Sequence, residues 1–384
     1  MNTCQTCDVA VIGAGVFGAW TAHQIQHAGA KVILIDAYGA GNSRASSGGE
    51  SRIIRMGYGA DEIYTRSAQR SLGLWQGLFK RTGQSLFHRT GVLWLAREDD
   101  SYSISTLATL QRTGVVFEKL TRTELELRYP QLDFGRVAWA IFEPNSGVLM
   151  ALQAVRVIVE EVRRNGITYL HDSVLPPKGD GKLESLITAG GSVIAADTFL
   201  FACGPWLPKL FPDLLGELIQ VTRQEVFFLG VPAGDDRFSP PRMPVWIDFN
   251  DLVYGIPDLE GRRFKIAVDA HGPDFDPDTD DRVATENGLM EVRRYLAARI
   301  PALAKAPVVE TRVCQYENTS NGDFLIDRHP ALENVWLVGG GSGHGFKHGP
   351  AVGEYAAGLI SGKARLEPRF GLASKAKVQR RKVY

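Results

Sequence analysis

The pattern of apolar positions is clearest at the start of the chain. Asp8-Val-Ala-Val-Ile-Gly is an unbroken apolar run, Gly13 to Gly18 is rich in glycine, and Ala19 to His27 has helical spacing. This order predicts a buried strand, a tight turn and a helix, followed by a second strand at Lys31-Val-Ile-Leu-Ile-Asp36. Two strands joined by so compact a helix must lie parallel through a right-handed crossover. From Asp36 to Gly49 the chain turns polar and glycine-rich, which predicts a loop.

Further along, Tyr64 to Arg81 predicts an amphipathic helix with Leu72, Trp75, Leu78 and Phe79 on its apolar stripe, and Gly91 to Ala96 predicts a strand of a different sheet. Residues 151 to 165 are again helical in spacing, and Thr198 to Gly204 is a buried run. Between Glu225 and Val268 four short apolar segments, separated by Pro, Gly and Asp turns, predict successive antiparallel strands. A helix is expected over Glu286 to Ile300. The last third repeats the opening pattern, with a strand at Asn334 to Gly339, a glycine loop to Gly345 and a helix from about Pro350 to Ile360. The fold class expected is α/β plus α+β. A Rossmann-like dinucleotide domain built from 1–87, 141–217 and 320–384 would carry an inserted antiparallel-sheet substrate domain of 88–140 and 218–319.

Composition narrows the function classes. The 384 residues are 44% hydrophobic and 22% charged, with 43 basic and 43 acidic side chains, so no global field favours nucleic acid or an anionic membrane. No apolar run approaches the ~18 residues of a membrane span, and Met1 to Cys7 lacks the pattern of a signal peptide, so a cytoplasmic protein is expected. Equal charge totals leave the oligomeric state open. Of the four cysteines, Cys4 and Cys7 form a C-x-x-C with no second pair, read as part of a frayed N-terminus, and the basic stretch from Lys375 to Lys382 is read as a solvated tail. His344 and His348 lack a carboxylate partner in the glycine loop, so no metal is expected.

Gly13-Ala-Gly-Val-Phe-Gly18 stands between a strand and a helix, with Asp36 about 20 residues on, which is the dinucleotide fingerprint in its required context. Gly13 makes the turn, Gly15 lets backbone approach a pyrophosphate, Gly18 permits close helix packing, and Asp36 accepts from the adenosine ribose. The helix starting near Val16 turns its positive end to the phosphates. This motif does not separate NAD from FAD. Gly339 to Lys347 bears on that choice, because a glycine loop, a helix N-terminus and a lysine aimed at one place suit the electron-rich edge of a reduced flavin.

Six short segments sharpen the reading: Ser51 to Gly59, Glu143 to Leu149, Phe264-Lys265, Val313-Cys-Gln-Tyr316, Phe324 to Pro330 and Ser342-Gly-His-Gly-Phe-Lys347. Together they resemble the monomeric sarcosine oxidase and N-methyltryptophan oxidase family of flavoenzymes over nearly the whole chain. The resemblance implies FAD bound covalently through Cys314, a thiol suited to attack the electron-poor flavin methyl group. It implies that Arg55 and Lys347 hold a substrate carboxylate and that Lys265 promotes reaction with oxygen by stabilising negative charge. It further assigns cofactor contacts to Ser46, Ser47, Arg52, Gly343, His344, Gly345 and Lys347, substrate contacts to Tyr254, Asp269 and Tyr316, and catalytic roles to Arg52 and Tyr316.

The chain also departs from that family. Members carry histidine where this sequence has Asp269, and histidine in the loop where it has Ser46 and Ser47. An acid beside the substrate either repels a carboxylate or attracts an amine, so a differently shaped pocket near Val245, Tyr254, Asp269 and Tyr316 is expected. The function implied is oxidation of a small anionic amine, a secondary amino acid that is N-methylated or cyclic. A hydride equivalent would pass from the α C–H bond to flavin N5, leaving an imine and reducing oxygen to hydrogen peroxide. The alternatives are a flavin dehydrogenase with another electron acceptor, a non-catalytic flavoprotein, and an NAD-linked dehydrogenase.

Overall fold

Residues 4–379 are described in the computed structural model, and three sheets organise them. The first is a seven-stranded sheet in the order Leu325–Arg328, Val335–Gly339, Val193–Phe201, Cys4–Ile12, Val32–Asp36, Thr168–His171, with Ser185–Ile187 paired to the side of Val193–Phe201. Its four inner pairings are parallel, while Leu325–Arg328 and Ser185–Ile187 run antiparallel. Strands buried on both faces need continuous apolar runs, and Val9, Val11, Ile33, Leu34, Phe199, Leu200 and Leu337 supply them.

The helices Val16–His27 and Gly349–Ile360 pack side by side against this sheet. A side chain on Gly353 would stand 2.5 Å from the Trp20 backbone, so glycine is what lets the two axes approach. The helix Glu62–Thr82 crosses behind them, its Trp75 edge-on to Trp20 at 5.1 Å and stacked on Phe346 at 5.7 Å. That aromatic row ties the helix to the loop carrying Lys347.

The second sheet has eight strands in the order Val308–Thr319, Ile219–Leu229, Phe264–Val268, Val253–Ile256, Val245–Asp248, Val92–Ala96, Trp139–Glu143, Glu118–Thr121. The four segments expected between Glu225 and Val268 are there and antiparallel to one another where they pair, but Val245–Asp248 lies parallel to Val92–Ala96. That long-range pairing leaves no local trace in sequence. A three-stranded sheet of Arg52–Ile54, Gly147–Leu149 and Phe87–His88 completes the set.

Two expectations at the ends of the chain are overturned. Cys4 and Cys7 begin the Cys4–Ile12 strand, in register with Val193 and Ala196, because the long partner strand Val193–Phe201 extends the ladder past the fingerprint's own strand. Burial pushes the Cys7 thiol up to about 11. At the other end Lys375 is buried and donates to Asn321 Oδ1 and to the carbonyls of Asp323 and Arg369, so the basic stretch does not start as a solvated tail. Its last residues, from Arg380, lie outside the described part.

Candidate active site

The fingerprint strand ends at a cavity. Gly13 sits at φ +100° in the turn, where a side chain would strike the Ala202 carbonyl at 2.3 Å, so only glycine serves there. Gly18 fails in the same way against the Gly13 carbonyl, which is the close helix approach expected of it. The helix Val16–His27 begins without a side-chain cap on Gly15, and the Val16 amide donates instead to Ser47 Oγ at 3.1 Å. Its positive end therefore faces the cavity.

This cavity encloses about 430 Å³ and runs from Asp36 and Tyr38, past Gly13 and Gly15, to Cys314 and Phe346. Asp36 accepts from the Ala14 amide at 2.8 Å and the Tyr38 amide at 2.9 Å, leaving carboxylate lone pairs for a ligand, and burial raises its pKa. Ser46 and Ser47 line the same wall, Ser46 tied to the Gln315 carbonyl at 3.0 Å. Glu317 also lines it. One oxygen of that buried carboxyl accepts from the Gly341 amide, the other has no hydrogen-bond partner among the described residues, and burial pushes its pKa up to about 7.

A smaller cavity of about 90 Å³ adjoins the first, sharing Arg52, Cys314, Tyr316, Ser342, Gly343 and Phe346 with it. Arg55, Tyr254, Lys265, Asp269, His344 and Lys347 line it too, together with Glu225, Phe249 and His271. Apart from Gly18, which packs between helix and turn, and Val245, every residue singled out for the site in the sequence lines one of the two cavities. Val245 is fully buried in the core, and Ile247 and Phe249 form the wall in its place.

Arg52 and Arg55 stand on and just after an extended strand, which turns them to different tasks. Arg52 donates to the Ser46 carbonyl at 2.8 Å and to Cys314 Sγ at 3.3 Å. Arg55 is held between aromatic faces, 4.2 Å over Tyr58 and 4.7 Å over Trp94, and donates to the Gly57 carbonyl. Beneath it lies a group the sequence reading quoted only as the start of a motif. The buried Glu143 carboxylate accepts from the Met56 and Gly57 amides, Trp94 Nε1 and the Ser146 hydroxyl, pinning the loop that bears Arg55. An acid closing the apolar run Trp-Ala-Ile-Phe is the signal that marks it.

Three more ionisable groups face the small cavity. Lys347 Nζ donates to the Tyr58 hydroxyl and the His344 carbonyl, each at 2.9 Å, while burial and then Arg55 hold its pKa well below the lysine range. Lys265 does not point to solvent, as strand alternation alone allowed. It is 2% exposed and donates to the Ser51 carbonyl at 2.8 Å, and burial followed by Arg52 lowers its pKa strongly. Asp269 accepts from the Tyr316 hydroxyl at 2.7 Å, and burial pushes it up to about 6 against the pull of that bond, Arg55 and Lys347.

Gly341 to Phe346 lines the large cavity, but a short turn at Phe346–His348 precedes the helix, whose first residues Gly349 and Pro350 line neither cavity. Phe346, at the start of this continuous helical stretch, lines both cavities, and Lys347 lines the small one. His344 contacts the Gly322 carbonyl at 3.0 Å and His348 contacts Tyr58 and Ser67. Among the described residues no helix is long and apolar enough to cross a membrane.

The arrangement fits FAD. A glycine turn and a helix end face the middle of the long cavity, an acid stands at one end, and a thiol beside an arginine stands at the other, next to a small charged chamber. Comparison with known proteins agrees. Residues 8–359 match the family model described as FAD dependent oxidoreductase. The chain is 32% identical over 377 residues to a monomeric sarcosine oxidase of Bacillus sp. (strain B-0618), covering 93% of each chain. It is 28% identical to an N-methyl-L-tryptophan oxidase of Salmonella heidelberg (strain SL476), covering 95% of this chain and 96% of that one. Among solved structures, L-proline dehydrogenase from P. horikoshii shares the fold with a TM-score of 0.82 at 23% identity, covering 97% of this chain and 98% of that one.

Proposed function

Because the chain belongs to the FAD dependent oxidoreductase family, in the group of the monomeric sarcosine and N-methyltryptophan oxidases, we propose that it oxidises small secondary amino acids, N-methylated or cyclic. The product is an imine, which water hydrolyses, and oxygen is the second substrate, leaving as hydrogen peroxide. FAD held in the long cavity supplies the acceptor for the hydride equivalent lost from the substrate's α carbon. In this reading 1–87, 141–217 and 320–384 bind the cofactor, and 88–140 and 218–319 form the substrate side.

The observation that carries the proposal is the lining of the small cavity, where Arg55 and Lys347 share one chamber with the Asp269–Tyr316 pair. An amino acid is complementary to that pattern, with its carboxylate on Arg55 and Lys347 and its amine toward Asp269. Arg55 is pre-oriented by Tyr58, Trp94 and the loop that Glu143 pins, so little order is lost on binding. The bound amine must be uncharged to give up electrons. Arg55 and Lys347 oppose its ammonium form, and Asp269, with a pKa of about 6, is an acceptor for the proton.

Lys265 and Cys314 have separate tasks in this reading. Cys314 Sγ, beside Arg52 and on the lining shared by both cavities, is the attachment point for the flavin. Lys265, fixed on the Ser51 carbonyl, places a positive charge where oxygen takes up electrons. Anaerobic mixing of the holoenzyme with a panel of N-methyl and cyclic amino acids tests the substrate class, and absence of flavin bleaching with every one of them would sink it. Peroxide formed under air, compared with the rate of reduction of an artificial dye, separates an oxidase from a dehydrogenase.

A further inference from the structure

Lys347 has a second side that the substrate reading leaves unused. Its Nζ donates to the Tyr58 hydroxyl at 2.9 Å, that hydroxyl meets His348 Nε2 at 2.7 Å, and His348 Nδ1 meets Ser67 Oγ at 2.9 Å. Tyr58 and His348 are 1% and 0% exposed, whereas Ser67, on the helix Glu62–Thr82, is only partly buried. None of the three lines either cavity. The row therefore leads from the buried end of the small cavity toward the surface behind it.

Each member of this row both donates and accepts. A neutral imidazole with partners on both nitrogens accepts on one and donates from the other, and exchanging its tautomer reverses the direction of the whole row. From the geometry we infer that Ser67, His348 and Tyr58 form a proton relay that charges Lys347 when a substrate carboxylate arrives and discharges it when the product leaves. The inference rests on the reading of Lys347 as a carboxylate holder.

The site needs such a path. Burial, followed by Arg55 and with a smaller part from Arg52, opposes the charged form of Lys347, against the pull of Asp269 and Glu143. An arriving carboxylate reverses that preference, yet the substrate then occupies the side of Lys347 that faces the cavity. The proton enters from behind. It bonds to Ser67 Oγ as the Ser67 proton moves to His348 Nδ1, the Nε2 proton moves to Tyr58 Oη, and the Tyr58 proton moves to Lys347 Nζ. Each intermediate group loses one bond to hydrogen as it gains another, one proton is taken up, and no electron moves.

The surroundings of His348 suit transit rather than storage. The Tyr58, Tyr64, His344 and Phe324 rings surround it at centroid distances of 5.4 to 5.7 Å. Tyr64 in turn donates to Asp323, which pairs with Arg369. Burial, Lys347 and Arg55 all hold His348 well below its ordinary pKa, so it stays neutral between proton passages.

The test uses the holoenzyme and propionate, a carboxylate with no amine proton to give. Stopped-flow mixing in weakly buffered solution with a pH indicator reads proton uptake, while the flavin spectrum reads binding. The wild type should take up protons together with the flavin shift, and Lys347→Met should bind weakly with no uptake. Tyr58→Phe and His348→Gln should reach the wild-type extent of uptake at rates slower by roughly tenfold or more, since glutamine keeps both hydrogen bonds but cannot relay. Wild-type uptake rates in His348→Gln, with flavin content and melting temperature unchanged, would overturn the relay and leave the row as packing alone. A flavin shift without proton uptake in the wild type would overturn it too. Absence of any flavin shift with propionate would instead overturn the assignment of Arg55 and Lys347, and the relay with it. Should Tyr58→Phe fail to fold, His348→Gln decides the question.

Discussion

Arg52 Nη2 stands 3.3 Å from Cys314 Sγ, although 262 positions separate the two residues in the chain. The sulfur lies on the lining common to the long cavity and the small one, and a guanidinium beside it stabilises negative charge on a reacting thiol. Acid-precipitated holoenzyme is therefore expected to keep its yellow colour, and Cys314→Ala to release it into the supernatant. Colourless wild-type pellets would remove covalent attachment from the account.

Asp269 gives the site a pH dependence whose sign differs with the ligand. Its pKa of about 6 means that the group is neutral below that pH and ionised above it. An amino acid, whose amine needs an anionic neighbour, should show kcat/KM rising as the pH passes upward through about 6. Propionate should bind more weakly over the same interval, because the new carboxylate repels it. Asp269→Asn should flatten both profiles. Parallel profiles for the two ligands would argue that Asp269 does not face the amine.

Removing the charge of Lys265 should divide the two half-reactions. Lys265→Met is expected to slow reoxidation of the reduced enzyme by oxygen by roughly 10²-fold or more, the scale of a lost electrostatic stabiliser. Anaerobic flavin reduction by substrate should change far less. Equal losses in both, followed by stopped-flow absorbance, would point to a structural role through the Ser51 carbonyl.

Arg55→Ala removes a cation that two aromatic faces and the Gly57 carbonyl hold in place. Loss of a buried charge-assisted contact costs about 2–5 kcal/mol, so the dissociation constant of the carboxylate ligand should rise at least roughly 30-fold. Titration of the flavin spectrum with propionate checks this.

Glu143 lines neither of the two cavities, yet the Arg55 loop depends on it. Glu143→Ala strands two backbone amides, Trp94 Nε1 and the Ser146 hydroxyl in the interior. A loss of about 3 kcal/mol or more in unfolding free energy is expected from denaturant titration. Glu143→Gln, which keeps one acceptor oxygen, should lose less.

Local patterns in the chain carried most of the elements. The Gly13 to Gly18 turn, the strand and helix around it, the helix at Glu62–Thr82 and the C-terminal strand are each set by near-neighbour spacing of apolar residues and glycine, so they were legible one segment at a time. Individual site residues were legible too, because Arg55, Lys265, Cys314 and Lys347 each sit in a short motif.

Tertiary structure decided what those residues face. Pairing with Val193–Phe201 drew Cys4 and Cys7 into a strand, and Val245–Asp248 paired with Val92–Ala96, leaving Val245 in the core while Ile247, two residues on along the same face, reaches the cavity. Lys347 itself stands in the short turn Phe346–His348, directly ahead of the helix Gly349–Ile360. Contacts such as Tyr316 with Asp269, Tyr58 with His348 and Arg52 with Cys314 join segments tens to hundreds of residues apart. Side-chain periodicity reports which face of an element is buried, whereas the neighbour that meets that face is fixed only when separate sheets and helices pack.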